Sequence, residues 1–180
     1  MRHFAVSAIG RDRPGIVAAV SAVLLEHSGN LEDSQMTILR GCFTIMLIVS
    51  TADGVDAERL AEDLERTRQR LGLDAIALSE VTDAEPSAEA NPSHVVSVYG
   101  VDHPGIVHAV TTALAAADVN IVDLTTRLVG GTDGEPLYVM MMEVALPPKL
   151  PVEAVERSLR RVGDQQGVDV TIRALEQDVL

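Results

Sequence analysis

The sequence is poor in the residues that most catalysis and most nucleic-acid contacts require. Tryptophan is absent, and two tyrosines with two phenylalanines make up an aromatic share of only 2 %. Platforms on which bases could stack are therefore nearly excluded. The one cysteine, Cys42, excludes an internal disulfide framework. Standing in the apolar run 42–49 (CFTIMLIV), it reads as a small buried thiol. His103 and His108 are five apart and so off one helical face, and no histidine has a Cys or second His at metal-ligand spacing. Neither a G-x-S-x-G elbow nor a G-x-x-x-x-G-K-[ST] phosphate loop occurs. The expectation is a chain with no metal, no cofactor and no catalytic residues, not an enzyme. Positive charge is scarce as well: 14 Lys and Arg stand against 27 Asp and Glu, a net charge of −13. Such a surface repels phosphate backbones and anionic lipid, so direct nucleic-acid or membrane contact is not expected. No basic region and signal-length apolar stretch follow Met1, and no run approaches the roughly 18 apolar residues that span a bilayer. A soluble, cytoplasmic protein is the expectation.

What is present is a duplication. Apolar residues are 47 % of the 180, ample for one core in each half. Residues 4–33 (FAVSAIGRDRPGIVAAVSAVLLEHSGNLED) match residues 94–123 (HVVSVYGVDHPGIVHAVTTALAAADVNIVD) at 13 of 30 positions, without a gap, far above chance. Between the copies, 83–93 (DAEPSAEANPS) has the composition of a linker. The domains are therefore expected at 1–82 and 94–180.

Each half reads alike. Short β-branched runs at 4–9 and 95–99 predict strands. Pro14 and Pro104 suit the first position of a helix, where proline's missing N–H is no loss. Ile16, Val17, Val20, Val23, Leu24 and His27 recur at three- and four-residue intervals, one helical stripe that Gly29 should stop. Strands are expected at 31–40 and 42–51 around Gly41, and at 121–129 and 137–146 around a longer loop at 130–136. A second helix follows at 56–71, and in the other copy one through Val152, Val155, Leu159 and Val162, with Gly72 and Gly167 near the ends. Last strands fall at 74–81 and 168–175. The order β-α-β-β-α-β, twice, predicts an α+β fold of two tandem ferredoxin-like units with antiparallel sheets. The outer sheet face, apolar at Ile45, Leu47 and Val49 or at their neighbours, needs covering, so association of modules within or between chains is expected.

The first strand–helix turn carries the chemistry: Gly10-Arg11-Asp12-Arg13-Pro14-Gly15 and Gly100-Val101-Asp102-His103-Pro104-Gly105. A helix start offers unpaired amides and the positive dipole end, which suit a carboxylate or a phosphate. Gly15 and Gly105 leave that start uncovered. Asp12 and Asp102 can hold an ammonium group, and Asn30 and Asn120 supply donors and acceptors. Together these describe a free amino-acid site. A purely structural reading stands beside it: an Asp near a helix start can bond the amides itself, and an Asn after a helix end commonly takes a left-handed turn.

The pattern G-x-D-x-P-G-I, an apolar helix, then N-[LI]-x-D resembles the ACT domain in both halves, and the D-[RH]-P-G-I form resembles the tandem-ACT proteins related to the glycine-cleavage-system transcriptional repressor. The resemblance implies an amino-acid-sensing regulator that binds a small effector where modules meet and modulates a protein partner, such as a transcription regulator or a metabolic enzyme, in control of amino-acid or one-carbon metabolism. It implies a pocket lined by Asp12, Arg13, Pro14, Gly15, Ile16 and Asn30, and by Asp102, His103, Pro104, Gly105, Ile106 and Asn120; a homo-oligomer, a dimer, is the expected assembly, with the modules pairing either within one chain or between chains. Some serine-binding members have a histidine at the positions of Gly10 and Gly100 and an asparagine at those of Asp12 and Asp102, so serine binding in that mode is not implied. Arg13 against His103 makes the two turns unequal. The rival reading is a ligand-free adaptor that uses its modules only as docking surfaces.

Overall fold

Along 42–51 and 137–145 side chains alternate between buried and open, the two-residue period of a half-buried strand. In the computed structural model, which describes residues 1–81, 91–130 and 136–175, this pattern builds two units, Met1–Glu85 and Pro86–Leu180. The first contains β1 (Arg2–Arg11), α1 (Ile16–Glu26), β2 (Asn30–Leu39), β3 (Cys42–Thr51), α2 (Ala57–Leu71) and β4 (Ala75–Val81). The second repeats the order with β5 (His94–Val101), α3 (Ile106–Ala115), β6 (Asn120–Val129), β7 (Leu137–Ala145), α4 (Val152–Gln166) and β8 (Val168–Ala174). The sheets are antiparallel, ordered β2-β3-β1-β4 and β6-β7-β5-β8. This is the α+β, twice ferredoxin-like architecture that the sequence implies.

In the first unit Val6, Phe43, Ile45 and Leu47 of the sheet pack with Ile16, Val20 and Leu24 of α1 and Leu60 and Leu64 of α2. Ile45, Leu47 and Val49 thus face the helices, and their neighbours Thr44, Met46 and Ile48 take the outer face, with Met46 56 % exposed. The methionine run of the second unit splits the same way: Met140 and Met142 are fully buried and Met141 is 47 % exposed. Each of the edge strands β2 and β6 carries a register shift at the same place, between Leu31 and Asp33 and between Ile121 and Asp123.

Three expectations change. Pro14 and Pro104 precede their helices instead of opening them, because Gly15 (φ 95°) and Gly105 (φ 107°) are left-handed and no right-handed helix can include them. The left-handed residue that ends α1 is Ser28 (φ 55°), not Gly29. The Ser28 and Gly29 amides donate to the Leu25 and Leu24 carbonyls, the paired bonds of a Schellman motif. Gly29 is needed for closeness instead: a β-carbon there would stand 2.9 Å from Val49 and 3.0 Å from the Leu24 carbonyl oxygen. Cys42 is exposed, not buried, since the strand's alternation begins with it on the outer side. Most of the expected linker at 83–93 and of the loop at 130–136 lies outside the described residues. Ser93, at the linker's end, is tied into the second unit: its amide donates to the Val144 carbonyl and its own carbonyl accepts from Leu175, both at 2.9 Å.

Candidate functional site

The turn between β1 and α1 leaves the helix start open. The first helical bond runs from the Ala19 amide to the Gly15 carbonyl, so the amides of Ile16, Val17 and Ala18 precede the ladder. No side chain caps α1, and none caps α3, where Ala109 donates to Gly105 in the same way. Asp12 and Asp102 are exposed, and among the described residues neither carboxylate has a hydrogen bond or ion pair. The Asp12 backbone amide is held by the Gly41 carbonyl at 2.9 Å, which fixes the turn against the β2–β3 hairpin tip. Gly15 has open space where a β-carbon would be, and at Gly105 the nearest atom is the Gln166 side-chain oxygen at 3.6 Å. Pro14 and Pro104 are exposed, while Ile16 and Ile106 are core residues, 1 % and 2 % exposed. These two anchor the helix starts, so only their amides are offered outward.

Position 13 and its counterpart 103 lie over the end of the second helix of their unit. The Arg13 guanidinium is 4.0 Å from where a β-carbon of Gly72 would stand. His103 lies with Nε2 2.7 Å from the Gln166 carbonyl oxygen and Nδ1 3.1 Å from that of Pro104. Bonding to Gln166, then to Pro104, pulls its pKa up, with a smaller contribution from the Asp102 charge. The carbonyls at a helix C-terminus are its negative end, which favours the Arg13 guanidinium and, when it is protonated, the His103 ring. Next to them, Gly10 and Gly100 permit close packing: a β-carbon at Gly10 would stand 2.9 Å from the Leu73 side chain, and one at Gly100 2.5 Å from Val168. A histidine has no room at either position.

Asn30 and Asn120 do not join these turns within their own units. Asn30 stands opposite Ser50, itself opposite His3, whereas Asp12 follows Arg11, which is opposite Cys42. From Ser50 to Cys42 is about 26 Å of strand at the usual rise. In the second unit Asn120 is opposite Ala145 and Asp102 follows Val101, opposite Leu137, the same separation. Asn120 instead lines an open hollow of about 640 Å3 with Asn91, Asp118, Val119 and Leu146.

Sequence reasoning did not find the His103 clamp, the close approach at Gly10 and Gly100, or a tie in the first unit between His27 and Asp63 (2.9 Å, both nearly buried). Asp63 also pairs with Arg66. Among the described residues no three His, Cys, Asp or Glu side chains gather as a metal-ligand group, and no helix is long and apolar enough to cross a membrane.

The ACT domain family matches residues 2–77 and again 94–173. A UPF0237 protein of Methanopyrus kandleri is 41 % identical over 81 residues, which is 44 % of this chain and 90 % of that one. The glycine cleavage system transcriptional repressor of Escherichia coli is 29 % identical over 127 residues, 69 % of this chain and 64 % of the repressor. The phosphoserine phosphatase SerB2 of Mycobacterium tuberculosis is 28 % identical over 93 % of this chain, which spans 39 % of that enzyme. Among solved structures, an unknown protein from Galdieria sulphuraria superimposes with a TM-score of 0.80 at 32 % identity, covering 97 % of this chain and 98 % of its own.

Proposed function

The chain belongs to the ACT domain family, and from that premise we propose that it is an effector-sensing regulator: a small zwitterion, an amino acid, docks at the strand–helix turns and biases contact with a protein partner. The observation that carries this reading is the recurrence in both copies of an uncapped helix start with an exposed carboxylate at its mouth, one that has no partner among the described residues. Amides at the positive helix end take the effector's carboxylate, and Asp12 or Asp102 takes its ammonium. Arg13, Pro14 and Gly15, and His103, Pro104 and Gly105, form the walls, with Ile16 and Ile106 contributing amides. Asn30 and Asn120 belong to the far end of their sheets and have no part in the turns of their own units.

The likeness to a named transcriptional repressor supports control of amino-acid or one-carbon metabolism as the setting. With a net charge of −13, action on nucleic acid would run through a partner that binds it. The long open edges β2 and β6, with Met36, Ile38, Leu124 and Leu128 exposed, support homodimerisation. The proposal gives the chain no catalytic role; the phosphatase's name describes a protein of which this chain spans a minor part.

Those same exposed apolar side chains favour a second reading, an adaptor that needs no ligand. A thermal-shift screen of the common amino acids separates the two. The regulator gains stability with at least one, by about 2.7 kcal/mol at a hundredfold excess over Kd, and Asp12→Ala with Asp102→Ala removes the gain while the free protein still melts cooperatively. No hit, or an undiminished shift in the double variant, contradicts it.

A further inference from the structure

The outer face of the second sheet holds a groove of about 330 Å3, within the range of small-ligand sites. Its floor is Val95, Val139 and Met141, and it is flanked by Asp123, Glu143 and Arg127. Asp123 and Glu143 stand directly opposite one another across β6 and β7. Two like charges in that relation destabilise a sheet, and among the described residues neither has an ion pair. Four residues along β6, about 13 Å away, Arg127 also has no ion pair among them.

The duplication supplies an internal control. With the register shift at the same place in both units, Asp123, Arg127, Glu143 and Met141 correspond to Asp33, Thr37, Ile48 and Met46. The floor methionine and one acid are common to both copies, whereas the second acid and the guanidinium occur only in the second. The groove's two charged ends are a property of that copy, not of the fold.

We propose that this groove binds a short peptide of about three residues with free termini, its ammonium between Asp123 and Glu143, its carboxylate on Arg127, and its middle side chain on Met141. The length follows from the separation of the charges. A free amino acid carries its two charges on either side of one α-carbon and cannot span them, whereas three extended residues cover about 10 Å and the arginine side chain reaches the remainder. A methionine floor adapts to different middle side chains, so the ends set the preference. The site is separate from the turns and does not depend on them.

The test is isothermal titration of the full chain with Ala-Leu-Ala and with its N-acetylated and C-amidated forms. One site per chain is expected. Affinity should fall at least tenfold when either terminus is blocked, and equally in Arg127→Thr and Glu143→Ile, which install the residues of the first unit. Asp12→Ala with Asp102→Ala should bind the peptide as the unaltered chain does. Absence of binding at millimolar peptide, or equal affinity in both groove variants, overturns the proposal. So does self-association that Met141→Lys disperses in sedimentation velocity while no peptide binds, since the face is then covered by a second copy.

Discussion

Arg13 and His103 meet the same electrostatic demand, a cation over the carbonyls that close a helix, but His103 meets it conditionally. Both its ring nitrogens face carbonyl oxygens, and both can donate only when the ring carries two protons. Its pKa is accordingly raised in the folded protein. A group raised in this way contributes its full stability below the unfolded-state value, about 6.5, and that contribution is lost as pH rises through the folded value. The expected result is that the second unit of the unaltered chain loses thermal stability above about pH 6.5 relative to His103→Gln, and that the difference vanishes at higher pH. A constant difference across the range would show that the ring does not act through its charge. The first turn, with an arginine in that place, should show no such step.

At the scale of elements, the helix starts differ. Asp56 caps α2, its side chain accepting from the Glu58 and Arg59 amides at 3.1 and 3.2 Å, while Asp12 caps nothing on α1. Urea denaturation should therefore show Asp56→Ala costing about 1 kcal/mol and Asp12→Ala staying within about 0.5 kcal/mol of the unaltered chain. A cost at Asp12 equal to that at Asp56 would favour a structural role for the turn's carboxylate. The elements themselves were legible in the sequence because their signals are local: alternation along 42–51, the apolar stripe from Ile16 to Leu24, the doubled G-x-D-x-P-G-I. Helix boundaries were less so, since Pro14 suits a first helical position and only the left-handed φ of Gly15 moves the start to Ile16. What joins distant segments was not legible. His103 meets a carbonyl 63 residues away and His27 a carboxylate 36 away, and no pattern along the chain marks either. Asn30 seemed a neighbour of Asp12 because the sequence shows the helix between them but not the strand register that sets them at opposite ends of the sheet.

At the scale of the whole molecule, a net charge of −13, two copies of one strand–helix turn and open apolar edges are the features on which the proposed regulator rests. The duplication preserves the turn and its uncapped helix while letting the surroundings diverge, from Arg13 to His103 and from Thr37 to Arg127. The central claim concerns particular backbone amides, and these can be watched individually. Titrating the 15N-labelled chain with the amino acid that gives the largest thermal shift should move the amide resonances of Gly15 to Ala18, of Gly105 to His108, or of both first and furthest, saturating with the same Kd as the thermal effect. Saturable shifts confined to other residues, with both helix starts unmoved, would contradict the account.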